Sequence, residues 1–186
     1  DSMVMWHLFA QLEVKITVAH VNFGLRAAES DADQQFVETK AAELGISFYT
    51  KNVDTKAYAQ RYKISTQMAA RQIRYQWFDE LMEKNSIDVL ATAHHATDQA
   101  ETVLINLLRG TGIEGLKGIP LNQEKIIRPL LGFSKDEIAA YAYDNNIAFR
   151  EDQSNLSDKY VRNKIRHHVL PVFEEINPSY HKNILQ

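Results

Sequence analysis

The sequence predicts an α/β protein built on a doubly wound parallel sheet. Runs of apolar and β-branched residues at 15–22, 46–53 and 87–93 (KITVAHVN, ISFYTKNV and IDVLATA) have the length and composition of strands. Stretches with helical spacing of apolar residues separate these runs. Because parallel strands must be joined by long crossovers, this alternation predicts parallel pairing with helices on both faces of the sheet.

Each predicted element has its own local signal. Asp54 and Ser65 are residue types that cap helices, and Met68 is expected on the apolar side of the helix that Ser65 begins. Ser134 and Glu137 have the spacing of a capping box. In chain order, the predicted elements are a helix at 2–12, a strand at 15–22, a helix at about 30–44, a strand at 46–53, helices at 54–62 and 65–85, a strand at 87–93, a helix ending at 109, a strand at 125–130, a helix at 134–146 and a basic helix at 158–170.

Glycine and proline mark several predicted ends and breaks. Ser30 and Asp33 have capping-box spacing at the start of the second helix, and Gly45 is expected to end that helix. The glycines of 112–120 (GIEGLKGIP) predict a loop. Pro171 is expected to interrupt the basic helix, because proline lacks an N–H and clashes with the preceding turn.

The composition is that of one globular domain of ordinary size. The chain has 186 residues, of which 45% are hydrophobic and 24% are charged. No apolar run reaches the roughly 20 residues that span a bilayer, and no signal peptide is visible. Cysteine is absent, which excludes disulfides and thiolate chemistry from these residues. A net charge of −3 means that nucleic-acid binding would require a local basic patch.

A polar cluster follows the third predicted strand. His94, His95, Asp98, Gln99 and Glu101 lie within eight residues of one another. Because ligands bind outside the carboxyl ends of strands in open α/β sheets, this cluster is a candidate site. The alternative is a solvated helix N-terminus, where acidic residues suit the helix dipole. Adjacent histidines cannot share one ion as an i, i+4 pair can, and this disfavours zinc.

Two segments carry arginines that suit anion binding. The first strand ends in HVNFGLR (20–26), where Arg26 could reach a phosphate or a carboxylate. In ARQIRY (70–75), Arg71 and Arg74 are three residues apart and share one helix face, from which Arg71 could clamp phosphates. For 20–26 the alternative is a strand exit with a surface arginine, and for 70–75 it is an exposed helix face paired with Glu80 or Glu83.

The most basic stretch follows Asp152. Arg162 and Arg166 have i, i+4 spacing there, and a helix with this face could hold an RNA backbone through its phosphates. A solvated helix face is the alternative. Neither GxGxxG nor GxxxxGK[ST] occurs in the chain, so the residues alone indicate an α/β domain with a ligand site near Asp98.

Five segments together resemble one family, the tRNA(Ile)-lysidine synthetases of the N-type ATP pyrophosphatase, or PP-loop, superfamily. They are HVNFGLR, ARQIRY, LATAHHATDQAETVLINLLRGTG, IIRPLL and D-x-SN-x(4)-Y-x-RN-x-IR, in that order and spacing, and they cover nearly the whole chain. The family's signature loop is SGGxDS. Asp1 and Ser2 resemble its last two residues, so the resemblance places the first strand and most of the loop before residue 1.

Two positions depart from the family's pattern. Phe23 stands where His is common, which removes a polar contact near the nucleotide. Thr97 stands where Asp is common, which leaves Asp98 as the single acidic residue of that pair. The second departure focuses the prediction on Asp98 and weakens any proposal that uses two neighbouring carboxylates.

The resemblance implies ATP- and Mg²⁺-dependent ligation of L-lysine to C2 of the wobble cytidine in tRNA(Ile) with a CAU anticodon. The reaction would pass through an adenylated cytidine intermediate. The resemblance also implies a location in the cytoplasm. Catalysis is assigned to Asp1, Asp98 and His95. ATP binding is assigned to Asp1, Ser2, His20, Asn22, Arg71 and Gly110. Lysine binding is assigned to Asp98, Glu101 and Asp152, tRNA binding to Arg74, Arg109, Arg162 and Arg166, and Mg²⁺ to Asp1 and Asp98.

The resemblance also sets the expected organisation and the rival functions. Residues 1–186 are expected to be one catalytic domain fragment, with an α/β core at 1–150 and a basic helical segment at 151–186. Further C-terminal tRNA-binding domains would lie outside it, and a homodimer is one possible assembly. The rivals are a tRNA thiolase, a non-catalytic nucleotide- or RNA-binding domain, and an enzyme that amidates a small molecule. The lack of cysteine disfavours the thiolase.

Overall fold

A computed structural model of the chain describes residues 1–150, 158 and 160–185. The chain divides into two compact units, Leu12–Asp88 and the pair Asp1–Gln11 with Val89–Gln186. Asp152, predicted to bind lysine, lies outside the described residues. The predicted domain boundary near residue 150 stays a prediction.

Helices and short strands alternate along most of the chain, as expected for the α/β class. The elements are α1 (Ser2–Ala10), β1 (Thr17–Asn22), α2 (Ala28–Glu43), β2 (Ser47–Asn52), α3 (Thr55–Tyr62), α4 (Thr66–Asn85), β3 (Leu90–Ala91), α5 (Ala96–Leu108), α6 (Gly112–Leu116), β4 (Asn122–Gln123), β5 (Ile126–Ile127), α7 (Lys135–Asp144), α8 (Val161–Lys164), a π-helix (Ile165–Val169), α9 (Leu170–Ile176) and α10 (Tyr180–Ile184).

The unit Leu12–Asp88 contains a parallel pair of strands. β1 and β2 pair in register from Thr17 opposite Ser47 to Asn22 opposite Asn52. α2 connects them, which is the crossover that parallel pairing requires. Both strands and their parallel direction agree with the prediction.

Side-chain caps begin the helices at most of the predicted places. The Asp54 carboxylate accepts a hydrogen bond from the Ala57 N–H at 2.9 Å, and Ser65 caps α4 in the same way. Ser134 and Glu137 form the predicted capping box, with distances of 3.1 and 2.7 Å. These local signals were sufficient because each requires only a side chain and a backbone N–H within three residues.

The second helix and one apolar position depart from the predictions. α2 begins after Ala27, so Ser30 lies inside the helix, where its hydroxyl accepts a hydrogen bond from the Arg26 N–H at 3.2 Å. The predicted capping box at Ser30 and Asp33 is therefore wrong. Met68 is 53% exposed rather than packed on the apolar side of α4, because the buried positions Ala69 and Ile73 lie on a neighbouring face, roughly 100–140° around the helix from Met68.

The second unit has a small mixed sheet. β3 pairs parallel with β5, and β4 pairs antiparallel with β5. The predicted strands at 87–93 and 125–130 are confirmed in place and direction but contain only two residues each. β4 was not predicted, because Asn122 and Gln123 carry no strand pattern of their own and are exposed. A core of Val4, Leu130, Ile138 and Ala142 joins α1, the segment after β5, and α7.

The segment 112–120, predicted to be a loop, contains the short helix α6. Side chains of α5 hold this segment. The Asn106 amide donates to the Gly115 carbonyl at 2.7 Å. The Gln99 amide donates to the Lys117 carbonyl at 3.0 Å, and its carbonyl accepts from the Ile119 N–H. The prediction failed because these partners lie more than eight residues away in the sequence.

Pro171 does not interrupt the C-terminal helices. It lies in the first turn of α9, where the missing N–H is tolerated, and the π-helix precedes it. Ile165 and Leu170 pack against Ala100 of α5. The basic segment is therefore attached to the helix that follows β3, and this attachment positions its arginines.

Candidate active site

The loop between β3 and α5 forms the centre of the candidate site. His95 is the N-cap residue of α5, and Asp98 is the third residue inside the helix. The Asp98 carboxylate accepts a hydrogen bond from the His95 backbone N–H at 3.1 Å. This bond satisfies one of the unpaired N–H groups at the helix start and places a negative charge where the helix dipole favours it.

The His95 ring brings two carboxylates together. Its Nε2 lies 3.6 Å from Asp1 Oδ2 and 3.5 Å from Asp98 Oδ2. His95 is only 5% exposed, while 26% of the Asp1 side chain and 14% of the Asp98 side chain remain accessible. Asp1 and Asp98, which are far apart in sequence, therefore converge on one imidazole.

Burial keeps this imidazole neutral. Desolvation lowers the pKa of His95 from 6.5 to about 4 and outweighs the opposing effect of the Asp98 charge, while Lys135 and Arg166 lower the pKa further. Nδ1 is buried and has no hydrogen-bond partner within residues 1–150, 158 and 160–185. Since Nε2 faces two carboxylates, the ring proton is best placed on Nε2, where it can be donated to either of them.

Glu101 is a fully buried carboxylate one turn further along α5. It is 0% exposed and receives a hydrogen bond from Arg166 Nε at 2.6 Å. Burial raises the pKa of Glu101, although the contact with Arg166 opposes this effect. Among the described residues Oε2 has no hydrogen-bond partner, and Arg162 Nε lies 3.6 Å from it.

Arg162 and Arg166 both face these carboxylates. Arg166 lies 3.6 Å from Asp98 and Arg162 lies 3.9 Å from it, so the two guanidinium groups connect Asp98 with Glu101. Arg162 also donates to the Thr102 hydroxyl at 3.2 Å. The sequence indicated a basic face available to RNA, whereas the structure directs both arginines toward α5. The sequence did not reveal this direction because it depends on how the C-terminal helices pack on α5.

Lys135 belongs to this cluster and was not predicted. Its Nζ lies 2.6 Å from Asp1 Oδ1. Lys135 is the first residue of α7, directly after the Ser134 cap. The available signal was its place at the start of a helix that follows a strand, since such positions border the ligand site in open α/β sheets.

Several predicted site residues lie in the unit Leu12–Asp88. His20 is in β1, and burial lowers its pKa, against the opposing effect of Asp33. Asn22 is 6% exposed and donates to Asp31 at 2.8 Å and Gln34 at 3.1 Å. The Asn22 side chain also accepts from the Gly24 N–H at 3.0 Å, so it organises the turn that follows β1.

The predicted arginines of α4 surround one tyrosine. The guanidinium groups of Arg71 and Arg74 lie 4.7 and 5.5 Å from the centre of the Tyr75 ring. Burial lowers the pKa of Arg74. These cation–π contacts fix both cations on the same part of the helix, as the three-residue spacing predicted.

The remaining predicted residues are exposed positions in the second unit. Ser2 is the first residue of α1. Arg109 and Gly110 follow α5, where Gly110 has φ of +67°. Whether they contact a ligand stays a prediction.

Asp1 and Asp98 are suitable in type for a magnesium ion. Mg²⁺ is commonly held by one or two carboxylates together with water and substrate phosphates. Both carboxylates are near His95 Nε2 and partly accessible, which fits such an arrangement. Within residues 1–150, 158 and 160–185, no group of three or more His, Cys, Asp or Glu side chains is arranged to hold a metal ion. Mg²⁺ bound by these two carboxylates would take its other oxygen ligands from water and substrate phosphates.

The residues of this candidate site lie within a region that matches a known protein family. A family model described as a PP-loop domain matches residues 1–173. The chain belongs to the PP-loop domain family. The predicted α/β class is confirmed, since the match includes the strands of both units and all of the described residues around His95.

Two curated relatives of this PP-loop chain are named tRNA(Ile)-lysidine synthase. The protein from Porphyromonas gingivalis strain W83 is 42% identical over 187 residues, which is 100% of this chain and 41% of that protein. The protein from Chlorobaculum tepidum is 46% identical over 179 residues, 94% of this chain and 54% of that protein. The resemblance found in the motifs is confirmed, and the chain spans about half the length of these relatives.

A solved PP-loop structure has the same fold. The U34-tRNA thiolase NcsA from Methanococcus maripaludis, solved with its 4Fe-4S cluster, matches with a TM-score of 0.77 over 99% of this chain and 65% of that chain. At 18% sequence identity, this likeness concerns the fold alone. Among the described residues, no helix combines the length and apolar character needed to cross a bilayer.

Proposed function

We propose that the full-length protein is a ligase that joins L-lysine to C2 of the wobble cytidine of tRNA(Ile) with a CAU anticodon. The observation that carries this proposal is the similarity to proteins named tRNA(Ile)-lysidine synthase, at 42% and 46% identity over nearly the whole chain. The match to a PP-loop domain supports the use of ATP. The products would be lysidine in the tRNA, AMP and pyrophosphate.

In the first step, the C2 carbonyl oxygen of cytidine attacks the α-phosphate of ATP and pyrophosphate leaves. Negative charge grows on the departing phosphates, and cations near them stabilise that charge. Asp1 and Asp98 would hold Mg²⁺, which supplies part of this stabilisation when bound. The residues assigned to ATP are Asp1, Ser2, His20, Asn22, Arg71 and Gly110.

In the second step, the ε-amine of lysine attacks C2 and AMP leaves. The attacking amine must be neutral, so a nearby base or local desolvation is required. A carboxylate would bind the lysine ammonium, and Asp98 is the best-supported candidate for this role because its side chain is partly accessible, whereas the Glu101 carboxylate is fully buried against Arg166. Asp152 remains a third candidate.

In this proposal, His95 orients the neighbouring carboxylates and does not act as the base. A pKa of about 4 makes its imidazole a weak base at neutral pH. Its Nε2 faces both Asp1 and Asp98, so the neutral ring can donate a hydrogen bond to one of these two carboxylates. His94, whose Nδ1 lies 2.9 Å from the Thr92 hydroxyl, is the other histidine available to accept a proton.

The tRNA backbone would contact the remaining arginines. Arg74 and Arg109 are assigned to its phosphates. Arg162 and Arg166 would give up part of their contact with Asp98 and Glu101 in order to contact the RNA. A location in the cytoplasm and a homodimeric assembly stay predictions. A thiolase would need its cysteine ligands from outside this chain, which has none, so nitrogen rather than sulfur is the proposed nucleophile.

The decisive experiment uses full-length protein, ATP, radiolabelled lysine and tRNA with a CAU anticodon. Labelled tRNA and equimolar AMP are expected. The Asp98→Asn variant should lose at least about a hundredfold in rate, because it removes a charge at the reacting centre. Asp79→Asn, which removes an exposed carboxylate from α4, is the matched control and should keep wild-type activity.

Two results would contradict the proposal. If label enters a small molecule while tRNA stays unlabelled, the protein amidates a different substrate. If Asp98→Asn releases pyrophosphate at the wild-type rate, the site around His95 is not the reacting centre.

A further inference from the structure

A cavity in the unit Leu12–Asp88 is lined by residues to which the sequence assigned no role in ligand binding. It has a volume of about 420 Å³ and lies between α3, α4 and the segment that follows β2. This volume falls within the range of ligand pockets. The lining residues are Lys51, Val53, Asp54, Ala57, Tyr58, Arg61, Ile73 and Gln76. Apolar side chains, one aromatic ring and two cations thus face the same space.

The aromatic ring in this cavity continues into a stack on the surface of α3. The rings of Tyr58 and Tyr62 lie 4.5 Å apart with an angle of 37° between their planes. Tyr62 is 51% exposed, and the Arg61 guanidinium lies 5.5 Å from the centre of its ring. A line of aromatic and guanidinium groups therefore runs from the cavity to solvent.

The same stretch of chain is locally basic. Residues 51–63 contain four cationic residues and one acidic residue, a net charge of +3, whereas the whole chain has a net charge of −3. The single carboxylate, Asp54, accepts a hydrogen bond from the Ala57 N–H and so caps α3. Lys51 lies 3.6 Å from Glu80, whereas Arg61 lies beside the ring of Tyr62. This charge is complementary to a phosphate backbone.

We infer that α3 and the cavity beside it bind single-stranded RNA. One unpaired base would stack on Tyr58 inside the cavity, the next base would stack on Tyr62, and Arg61 would contact the phosphate between them. Aromatic platforms beside cations are the usual means of binding single strands, because every base has a face that can stack. The inference rests on the proposed function only in taking RNA as the partner. It adds a contact surface on α3 and the cavity beside it, where the lining residue Ile73 is the sequence neighbour of Arg74, one of the arginines assigned to tRNA.

The test measures RNA binding by full-length protein without any chemical step. A labelled single strand of about ten nucleotides and a CAU-anticodon tRNA are titrated at several salt concentrations. Tyr58→Leu should weaken binding of the single strand at least about fivefold, whereas Tyr58→Phe keeps the ring and should bind as the wild type does. Arg61→Gln should reduce the slope of log affinity against log salt by about 0.7.

Lys15→Gln is the matched charge control. Lys15 precedes β1 and therefore lies at the amino edge of the parallel pair, opposite the edge from which α3 begins. It should leave the salt slope unchanged. If Tyr58→Leu fails to give a folded circular dichroism spectrum, the exposed Arg61→Gln decides the question.

Three results would overturn the inference. The first is that Tyr58→Leu and wild type bind the single strand with equal affinity. The second is that Lys15→Gln and Arg61→Gln lose the same amount of salt slope. The third is that AMP displaces the RNA from wild type but not from Tyr58→Leu, which would indicate a site for free nucleotides. The outcome is separable from the proposed function. If the protein transfers lysine to tRNA but the α3 variants bind RNA as the wild type does, only the proposed RNA-binding surface is rejected. If the α3 variants show the expected loss of binding but no lysine is transferred, only the proposed function is rejected.

Discussion

His95 shows how one buried side chain can organise charges that the sequence places far apart. Its imidazole is neutral because desolvation outweighs the attraction of a nearby carboxylate. Asp1 and Asp98 both lie near its Nε2, and the neutral ring can donate a hydrogen bond to one of them.

The first prediction concerns the pH dependence of stability. The pKa of His95 is about 4 in the folded protein and near 6.5 when unfolded, so the unfolded state binds the additional proton between these values. The free energy of unfolding should therefore fall as pH decreases through this window, by about 2 kcal/mol at about pH 4.5. Urea denaturation at about pH 7 and 4.5 measures it. His95→Gln should lack this part of the pH dependence, and an identical pH dependence in the variant would refute the assignment.

The second prediction contrasts a buried ion pair with a more exposed one. Glu101→Ala should lower the free energy of unfolding by about 3 kcal/mol, because it leaves Arg166 without its closest anion. Arg162→Ala should cost less than about 1 kcal/mol, since the Arg162 side chain is 41% exposed and lies 3.6 Å from Glu101. Denaturant titration of both variants provides the comparison. Equal losses would mean that burial does not distinguish the two contacts.

Residue identity alone did not reveal these differences in burial. The sequence placed Glu101 and Asp98 together as candidate lysine ligands, and only packing distinguishes them, at 0% and 14% side-chain exposure. Lys135 was missed for a related reason. Its partner Asp1 is 134 positions away in the sequence, and no periodicity or local motif connects the two residues.

At the scale of elements, local signals were reliable and non-local ones were not. The caps at Asp54, Ser65 and Ser134 were predicted because each is complete within three residues. β4 and the π-helix were not predicted. β4 exists only through its pairing with β5, and the π-helix forms where the basic segment packs on α5. Such elements depend on partners that the local sequence does not specify.

The third prediction concerns the segment between α6 and β4. Gly118 has φ of +64°, and a Cβ there would lie 2.5 Å from the Gln99 side-chain oxygen. Gly118→Ala should therefore lower the free energy of unfolding by about 1–3 kcal/mol. Gly132→Ala is the matched control, because nothing lies within 4 Å of the added carbon, and it should change stability by less than about 0.5 kcal/mol. Thermal denaturation of both variants tests this, and an unaffected Gly118→Ala protein would contradict it.

At the scale of the whole chain, composition limited the kinds of surface the protein can have, while the order of the motifs indicated its family. A net charge of −3 excludes a uniformly basic surface, but this average hides the local excess of positive charge at 51–63. The position of the site after β3 followed from the rule for parallel sheets, and the His95 cluster lies there. The PP-loop family match over residues 1–173 supports the motif-based assignment, which physical reasoning alone could not reach.

The two hydrogen bonds of Gln99 have a consequence for how the segment 117–119 keeps its shape. Its amide gives one donor and one acceptor to residues two positions apart, as the peptide group of an adjacent strand would. A side chain of α5 thus imitates an edge strand where no strand exists. The path of this segment therefore depends on a side chain of the helix, and Gln99 holds its backbone in place through groups that every residue type except proline carries.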